Sequence, residues 1–432
     1  MKYSLLSLNK DNYSTDRVFQ ETLSLNEYGV DTEVRGKKNI FFDITELSKF
    51  DKGTGIQRVT KTLLGILSQS PPLGWAIIPV RGDSNQGLFF QVPEFDKINE
   101  CLSEANKIEP TSGDIFLSVD LSYNISVSLQ NELRRFRTEG VGVYFVVYDL
   151  IPLLYPQWFF GTSEWFEGNE YLNLFNHWWS CAISISDGLL CISKSVERDV
   201  CNWLNSYPPS REIPLKIDHF YIGSNIDDRI FSTALLPEET NLLAQVRLKT
   251  SFLMVGTLEP RKGHALALDA FDQLWKKGLD NLKLVIVGRA GWHVEQLVHR
   301  IKTHPRLGID LIWLSGINDQ YLVDIYKNSS VLLALSEAEG FGLPLVEAAH
   351  FHLPILARSI PVFREICGDG AFYFKGTNAE DLRESIMRWL NLFKTGKHPN
   401  SRTMRILSWE DSLKQLMSSL GKMHGVFFEW GA

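Results

Sequence analysis

Short apolar runs alternate with amphipathic stretches along almost the whole of this 432-residue chain. The first cycle comprises NIFFDI (39–44), WAIIPV (75–80), DIFLSV (114–119), GVYFVVYD (142–149), GLLCIS (188–193) and KIDHFYIG (216–223). A polar, leucine-spotted stretch at 231–250 follows. The cycle then restarts with SFLMVG (251–256), LKLVIVG (282–288), DLIWLSG (310–316), VLLAL (331–335) and LPILAR (353–358). Runs of this length separated by helical periodicity predict α/β architecture, with parallel sheets covered by helices on both faces. The restart divides the chain into two Rossmann-like domains, over 39–235 and 250–407. Residues 1–38 are polar and weakly patterned and are read as an N-terminal extension. The segment 408–432 begins with helical spacing and is expected to pack back on the N-terminal domain.

A chain of this length exceeds one compact core, which agrees with two domains. With 44% hydrophobic and 22% charged residues it has the composition of a soluble globular protein. The net charge of −7 provides no general basic footprint, so nucleic acid is not expected as a partner. The longest apolar run, VGVYFVVYDLIPLLYP, is interrupted by Asp149 and Pro152 and falls short of the ~18–20 residues a membrane span needs. The N-terminus lacks the apolar core of a signal peptide. Five scattered cysteines (Cys101, Cys181, Cys191, Cys201, Cys367) without a C-x-x-C pair suit reduced thiols in the cytoplasm rather than disulfides or a zinc site. The histidines His219, His264, His304, His350 and His352 show no ligand spacing, and no metal is assigned.

The densest chemistry lies in SEAEGFGLPLVEAA, Ser336 to Ala349. A strand runs into a tight glycine loop, and Pro344 sits where a helix would start, a position that tolerates its missing N–H. Gly340 and Gly342 allow close backbone approach to a ligand, and the helix start aims N–H groups at the same point. Glu339 and Glu347 flank this anion cradle and could hold sugar hydroxyls. The plain alternative is an ordinary strand–loop–helix crossover with surface acids.

A second cluster opens the C-terminal half. In VGTLEPRKGH (255–264) a strand and glycine turn lead to Arg261 and Lys262, then to a predicted helix. A diphosphate leaving group gains negative charge as its bond to a sugar breaks, and a fork-shaped guanidinium beside a point-charge ammonium suits it. Two solvated surface cations beside a turn are the alternative. No D-x-D occurs in the chain, so the usual carboxylate pair for bridging a diphosphate through a divalent metal is absent.

Together VGTLEPRKGH, LVIVGRAGWHVEQL (284–297), the E-x7-E segment and the stretch from Ser359 to Ala371 resemble retaining family 4 glycosyltransferases of the GT-B fold, across residues 250–415. DITELSKFDKGTGIQRV (43–59) and YDLIPLLYP (148–156) carry a weaker likeness in the N-terminal half. The nearest likeness is to bacterial polysaccharide and O-antigen mannosyltransferases. The resemblance implies two Rossmann-like domains facing a cleft. It implies that Glu339 contacts the donor sugar, with the backbone of Gly340, Phe341, Gly342 and Leu343 over sugar and phosphates. Glu347 would hold the ribose, and Arg261 and Lys262 would neutralise the diphosphate beside the Gly256–Thr257 turn. Gly288 and Arg289 would lie near the base, and Gly53, Thr54 and Gly55 would reach the phosphates from across the cleft. Asp149 is the N-terminal acid expected on the acceptor side; its alternative is a turn or cap role. Two positions depart from the pattern: Thr257 stands where many relatives have arginine, and Tyr148 where many have histidine.

Arg58 either faces the cleft or pairs with a nearby acid, with neither reading favoured. Trp292 and His293 read as packing and surface. The aromatic segment 155–180 reads as core filling, or as an apolar rim for a membrane surface or a glycan acceptor. The resulting expectation is a retaining hexosyltransferase at the cytoplasmic face of the inner membrane. It would use a nucleotide-sugar donor, GDP-mannose first, and a glycan or lipid-linked glycan acceptor, with no cofactor. A UDP- or dTDP-sugar transferase, an epimerase on the same scaffold and a silent nucleotide- or glycan-binding module remain as alternatives.

Overall fold

The computed structural model describes residues 37–49, 51, 53–92, 106–123, 125, 127–161, 169–224 and 235–431. Most of the N-terminal extension (1–36), Cys101, residues 162–168 of the aromatic segment and 231–234 of the junction lie outside the described residues.

Thirteen strands among the described residues form two sheets. The first contains β1 (Lys38–Asp43), β2 (Trp75–Asp83), β3 (Leu88–Gln91), β4 (Ile115–Ser118), β5 (Gly142–Val147), β6 (Gly188–Cys191) and β7 (Lys216–His219), in the order β3-β2-β1-β4-β5-β6-β7. All its pairings are parallel except β2 with β3. The second contains β8 (Thr250–Val255), β9 (Leu282–Val287), β10 (Leu311–Leu314), β11 (Val331–Ala334), β12 (Ile355–Arg358) and β13 (Phe372–Phe374), in the order β10-β9-β8-β11-β12-β13 and parallel throughout. Every residue of β4, β5, β6 and β9 is buried, which is why these strands read as unbroken apolar runs rather than as alternation.

Two strands are absent from the sequence reading. β3 forms a hairpin with β2 through a turn that ends at Gly87, whose φ of 69° favours glycine. β13 has only three residues, too few for a period to register, and is positioned by pairing with β12. The predicted strand at 216–223 is shorter in the structure, ending at His219.

In each sheet the strand order reverses beside the first strand: between β1 and β4, and between β8 and β11. Connections leave to opposite faces at such a point and open a crevice beyond the strand ends, where ligands of open α/β sheets bind. Helices on both faces bury the apolar rows, with Trp178 in one half and Trp389 in the other almost wholly enclosed.

The helix Trp409–His424 lies against the helix Gly55–Gln69 and strands β6 and β7, returning the end of the chain to the N-terminal half. Tyr144 Oη and His424 Nδ1 are 3.1 Å apart, and the Trp75 and Phe428 rings are 5.1 Å apart. Leu416 on this helix is 0% exposed. Leu416→Ala should cost about 2–5 kcal/mol. It should also speed amide exchange in β6 and β7, as read by urea denaturation and hydrogen exchange; an unchanged urea midpoint would show that the contact is dispensable.

Candidate functional site

The strand-order reversal in the second sheet brings the two sequence-predicted clusters together. After β8 the chain turns at Gly256 (φ 137°) and reaches the short 3₁₀ turn Pro260–Lys262. After β11 it runs through Ser336 to Gly342 and enters the helix Leu343–His350. Gly342, at φ 99°, is the N-cap, and Pro344 occupies the first turn.

Glu339 is held between the two cations. Its Oε2 lies 3.0 Å from Arg261 Nη1 and its Oε1 pairs with Lys262 Nζ. Arg261 also donates to the carbonyl of Ala338 at 2.8 Å, and its Nε lies 3.0 Å from Glu259 Oε2. Burial alone would raise the Glu339 carboxyl, but Arg261 and Lys262 overcome that and hold it at about 2. Burial raises the carboxyl of Glu259, with Arg261 only partly opposing it. Glu259 is absent from the predicted site, although it lies two residues before Arg261.

The loop after β9 closes one side of the turn. Gly256 N donates to Val287 O at 2.9 Å and Leu258 N to Arg289 O at 2.8 Å. A Cβ on Gly288 would lie 1.9 Å from Gly256 O, so this approach requires glycine. Thr257 and Arg289 are exposed.

The N-terminal domain meets the same loop directly. A Cβ on Gly340 would fall 1.9 Å from Tyr148 O, and Ser193 Oγ donates to Gly340 O at 2.7 Å. The loop through Gly53 ends in Thr54, which caps the helix Gly55–Gln69 reciprocally with Gln57. Gly55 faces the start of the opposing helix, its Cβ position 3.5 Å from Leu343 Cδ1. Arg58, one turn on, reaches across and donates to Glu347 Oε1 at 2.7 Å, while Tyr326 Oη donates to Oε2 at 2.8 Å. Both readings of Arg58 therefore hold: it faces the cleft and it pairs with an acid of the other domain. Glu347 is 4% exposed, so its carboxylate is presented by these two partners rather than by free rotation. Farther out, Glu365 accepts from Lys194 N and Ser195 N, both at 2.8 Å, at the start of the helix Lys194–Ser206.

Tyr148 does not offer its hydroxyl to the cleft. Its Oη donates to Val119 O at 3.0 Å, while its carbonyl lies against Gly340. Asp149, next along, accepts from Ile151 N at 2.9 Å and also borders the cleft beside Arg261. Burial raises its carboxyl, with Arg261 opposing. Phe341 is buried, anchoring the loop between the two glycines.

The aromatic segment divides. Trp178 and Trp179 fill the N-terminal core, Phe159 and Tyr171 line a cavity between the domains, and Phe175 belongs to both. Trp292 joins them from the C-terminal half, 5.5 Å from the Phe159 ring and donating through Nε1 to Trp158 O at 2.9 Å. Tyr326, Ser193, Glu365 and the cleft role of Trp292 had no local sequence signal, because each meets its partner only through tertiary packing.

Residues 245–403 match the family described as glycosyl transferases, group 1. The chain is 36% identical to the serotype-specific mannosyltransferase WbdA of Escherichia coli over 400 residues, which cover 89% of this chain and 46% of that protein. It is 24% identical to the O-antigen chain mannosyltransferase B of Escherichia coli over 170 residues, 39% of this chain and 44% of the relative. The chain spans about half the length of the curated relatives that match it over most of its own length. Anabaena Alr3699/HepE, solved with UDP-glucose, matches 90% of this chain and 98% of its own with a TM-score of 0.56 at 14% identity. The catalytic domain of starch synthase IV from Arabidopsis thaliana, bound to ADP and acarbose, covers 90% of this chain and 100% of its own with a TM-score of 0.58 at 12% identity. At these identities the structural likeness is one of fold.

Two outcomes test the geometry. Gly340→Ala cannot keep the approach to Tyr148 O, so it should separate the domains, visible as a larger radius of gyration in solution scattering with unchanged circular dichroism; unaltered scattering would contradict the contact. The folded-state Glu339 carboxyl lies below its ordinary 4.5, so its pairing stabilises the protein above pH 4.5. That contribution is lost as pH falls toward about 2. The stability difference between wild type and Glu339→Gln should therefore be flat above 4.5 and shrink below it in denaturant titrations.

Proposed function

Residues 245–403 belong to the group 1 glycosyl transferases, and from that premise we propose that the protein is a retaining hexosyltransferase. It takes a nucleotide sugar, GDP-mannose first, and transfers the hexose to a glycan or lipid-linked glycan in bacterial surface polysaccharide synthesis. The observation that carries this reading is the Arg261–Glu339–Lys262 cluster at the strand-order reversal, beside a helix start. The identity to mannosyltransferase WbdA over 89% of the chain supports mannose as the sugar. No helix among the described residues is long and apolar enough to cross a membrane. The free thiols of Cys181, Cys191, Cys201 and Cys367 favour a reducing compartment, in keeping with work at the cytoplasmic face of the inner membrane.

In this reading Arg261 and Lys262 meet the diphosphate as side-chain cations, without a metal ion. Glu339 pairs with both and presents its own oxygens to the donor hydroxyls. Glu347, oriented by Arg58 and Tyr326, receives the ribose. Thr257 leaves the phosphate turn without a cation of its own, and Arg261 supplies one from a few residues downstream. The acceptor hydroxyl attacks the anomeric carbon on the face from which the diphosphate leaves. The new C–O bond forms as the sugar–phosphate bond breaks, and a departing diphosphate oxygen takes the hydroxyl proton. Tyr148, its hydroxyl committed to Val119 O, takes no part in this proton transfer. Catalysis is then positioning and charge stabilisation in a cleft closed to water.

A charge-assisted hydrogen bond contributes about 1.5–3 kcal/mol, so Lys262→Ala or Arg261→Ala should slow transfer roughly 10- to 150-fold. A thermal-shift screen of GDP, UDP, dTDP and ADP identifies the base, and incubation with the matching sugar nucleotides identifies the reaction. Nucleotide released only with acceptor supports the transferase; isomerised donor means an epimerase, and a thermal shift without turnover means a binding module. Full activity in both Lys262→Ala and Glu339→Ala would refute the site.

A further inference from the structure

Arg261 lies between two carboxylates that hold it differently. Glu339 reaches its Nη1 at 3.0 Å, pairs with Lys262 as well and accepts a further hydrogen bond from Ser336. Glu259 Oε2 lies 3.0 Å from Arg261 Nε, yet this buried oxygen accepts no hydrogen bond among the described residues. Glu259 occupies the N-cap of the 3₁₀ turn Pro260–Lys262, and its side chain makes no cap hydrogen bond there. Its residue is 8% exposed. The loop after β9 fixes it in place: Leu258 is bonded to Arg289 O and Gly291 N, and a Cβ on Gly291 would lie 3.3 Å from Glu259 Cγ. The other ionisable groups that face it are Lys262 beside it in sequence, Glu339 on the loop after β11, and Asp149 and Tyr171 of the N-terminal half.

Three acids thus surround two cations, and a diphosphate brings about two further negative charges or more to the same guanidinium. Where groups are buried, added negative charge disfavours ionisation of the acid that is held most weakly. Glu339 keeps two cations and a hydroxyl, and Asp149 keeps the Ile151 N–H. Glu259 has only the charge contact with Arg261, and burial already raises its carboxyl, with Arg261 and Lys262 opposing. A permanent arginine–carboxylate pair draws its strength from aligned hydrogen bonds, which this one lacks. We propose that Glu259 is the partner Arg261 exchanges for the diphosphate, and that it takes up a proton from solvent as the exchange occurs. This rests on the hexosyltransferase reading above, in which Arg261 meets the diphosphate. The neutral acid no longer competes for the guanidinium, and its O–H can donate to a phosphate oxygen. Donor binding therefore takes in a proton and weakens as pH rises.

Calorimetry of GDP, UDP, dTDP and ADP binding to the wild-type chain, in buffers of different ionisation enthalpy with EDTA present, reads proton uptake directly. Measurements run upward from about pH 7, past the last ionisation of a terminal phosphate near about 6. For the diphosphate that binds, uptake should approach about one proton per molecule, and affinity should fall by up to about tenfold per pH unit. In Glu259→Gln the uptake should vanish and affinity should stay level over the same range, ending tighter than wild type at the alkaline end. Asp149→Asn should keep both the uptake and the slope. Wild-type binding without uptake overturns the assignment before any variant is made. So does an uptake that survives Glu259→Gln, one lost in Asp149→Asn instead, or binding that needs added Mg²⁺ and takes up no proton. If none of the four diphosphates binds, the hexosyltransferase reading itself falls, a result distinct from binding without a proton.

Discussion

Glu339 between Arg261 and Lys262 is the interaction on which the rest of the structure turns. A buried carboxylate is costly unless it is paired, and two buried cations are costlier still without it. Each group depends on the others, so the turn after β8 and the loop after β11 must lie side by side. Parallel pairing of β8 with β11 makes that possible, since their carboxyl ends then open on the same crevice. Glu259 and Asp149 extend the cluster to three acids around two cations, and burial raises the carboxyls of both.

The second constraint is backbone contact between the domains. Gly340 abuts Tyr148 O, Ser193 bonds Gly340 O, and Glu365 caps a helix of the opposite half. These contacts are short and specific, and one apolar cluster continues from Val147 and Leu190 of the N-terminal half to Phe341, Leu345 and Phe363 of the other. Arg58 adds a charged link onto Glu347. The loop after β11 thus forms part of the contact between the two halves as well as part of the Glu339 cluster.

Trp292 illustrates how a residue changes meaning with context. Its position after a glycine in a loop reads as packing, and in the structure it does pack. What it packs against is Phe159 of the other domain, so the same stacking contact spans the cleft. Tyr148 shows the reverse: placed where a hydrogen-bond donor to the sugar would be expected, it turns its hydroxyl to Val119 O instead.

The α/β class, the two sheets and the clustering of chemistry after β8 and β11 were legible in the chain because they rest on local periodicity, glycine turns and a proline at a helix start. Such signals survive in one dimension, since each is set by neighbours a few residues away. The three-residue β13 and the hairpin strand β3 were not read, one for want of a period and the other because it is defined by its partner. Tertiary structure alone decided that Arg58 meets Glu347 across 289 positions of sequence, that Tyr326 supports the same carboxylate and that Trp292 stacks on Phe159. These are contacts between elements, and no local pattern encodes which distant side chain arrives at the far side of a cleft.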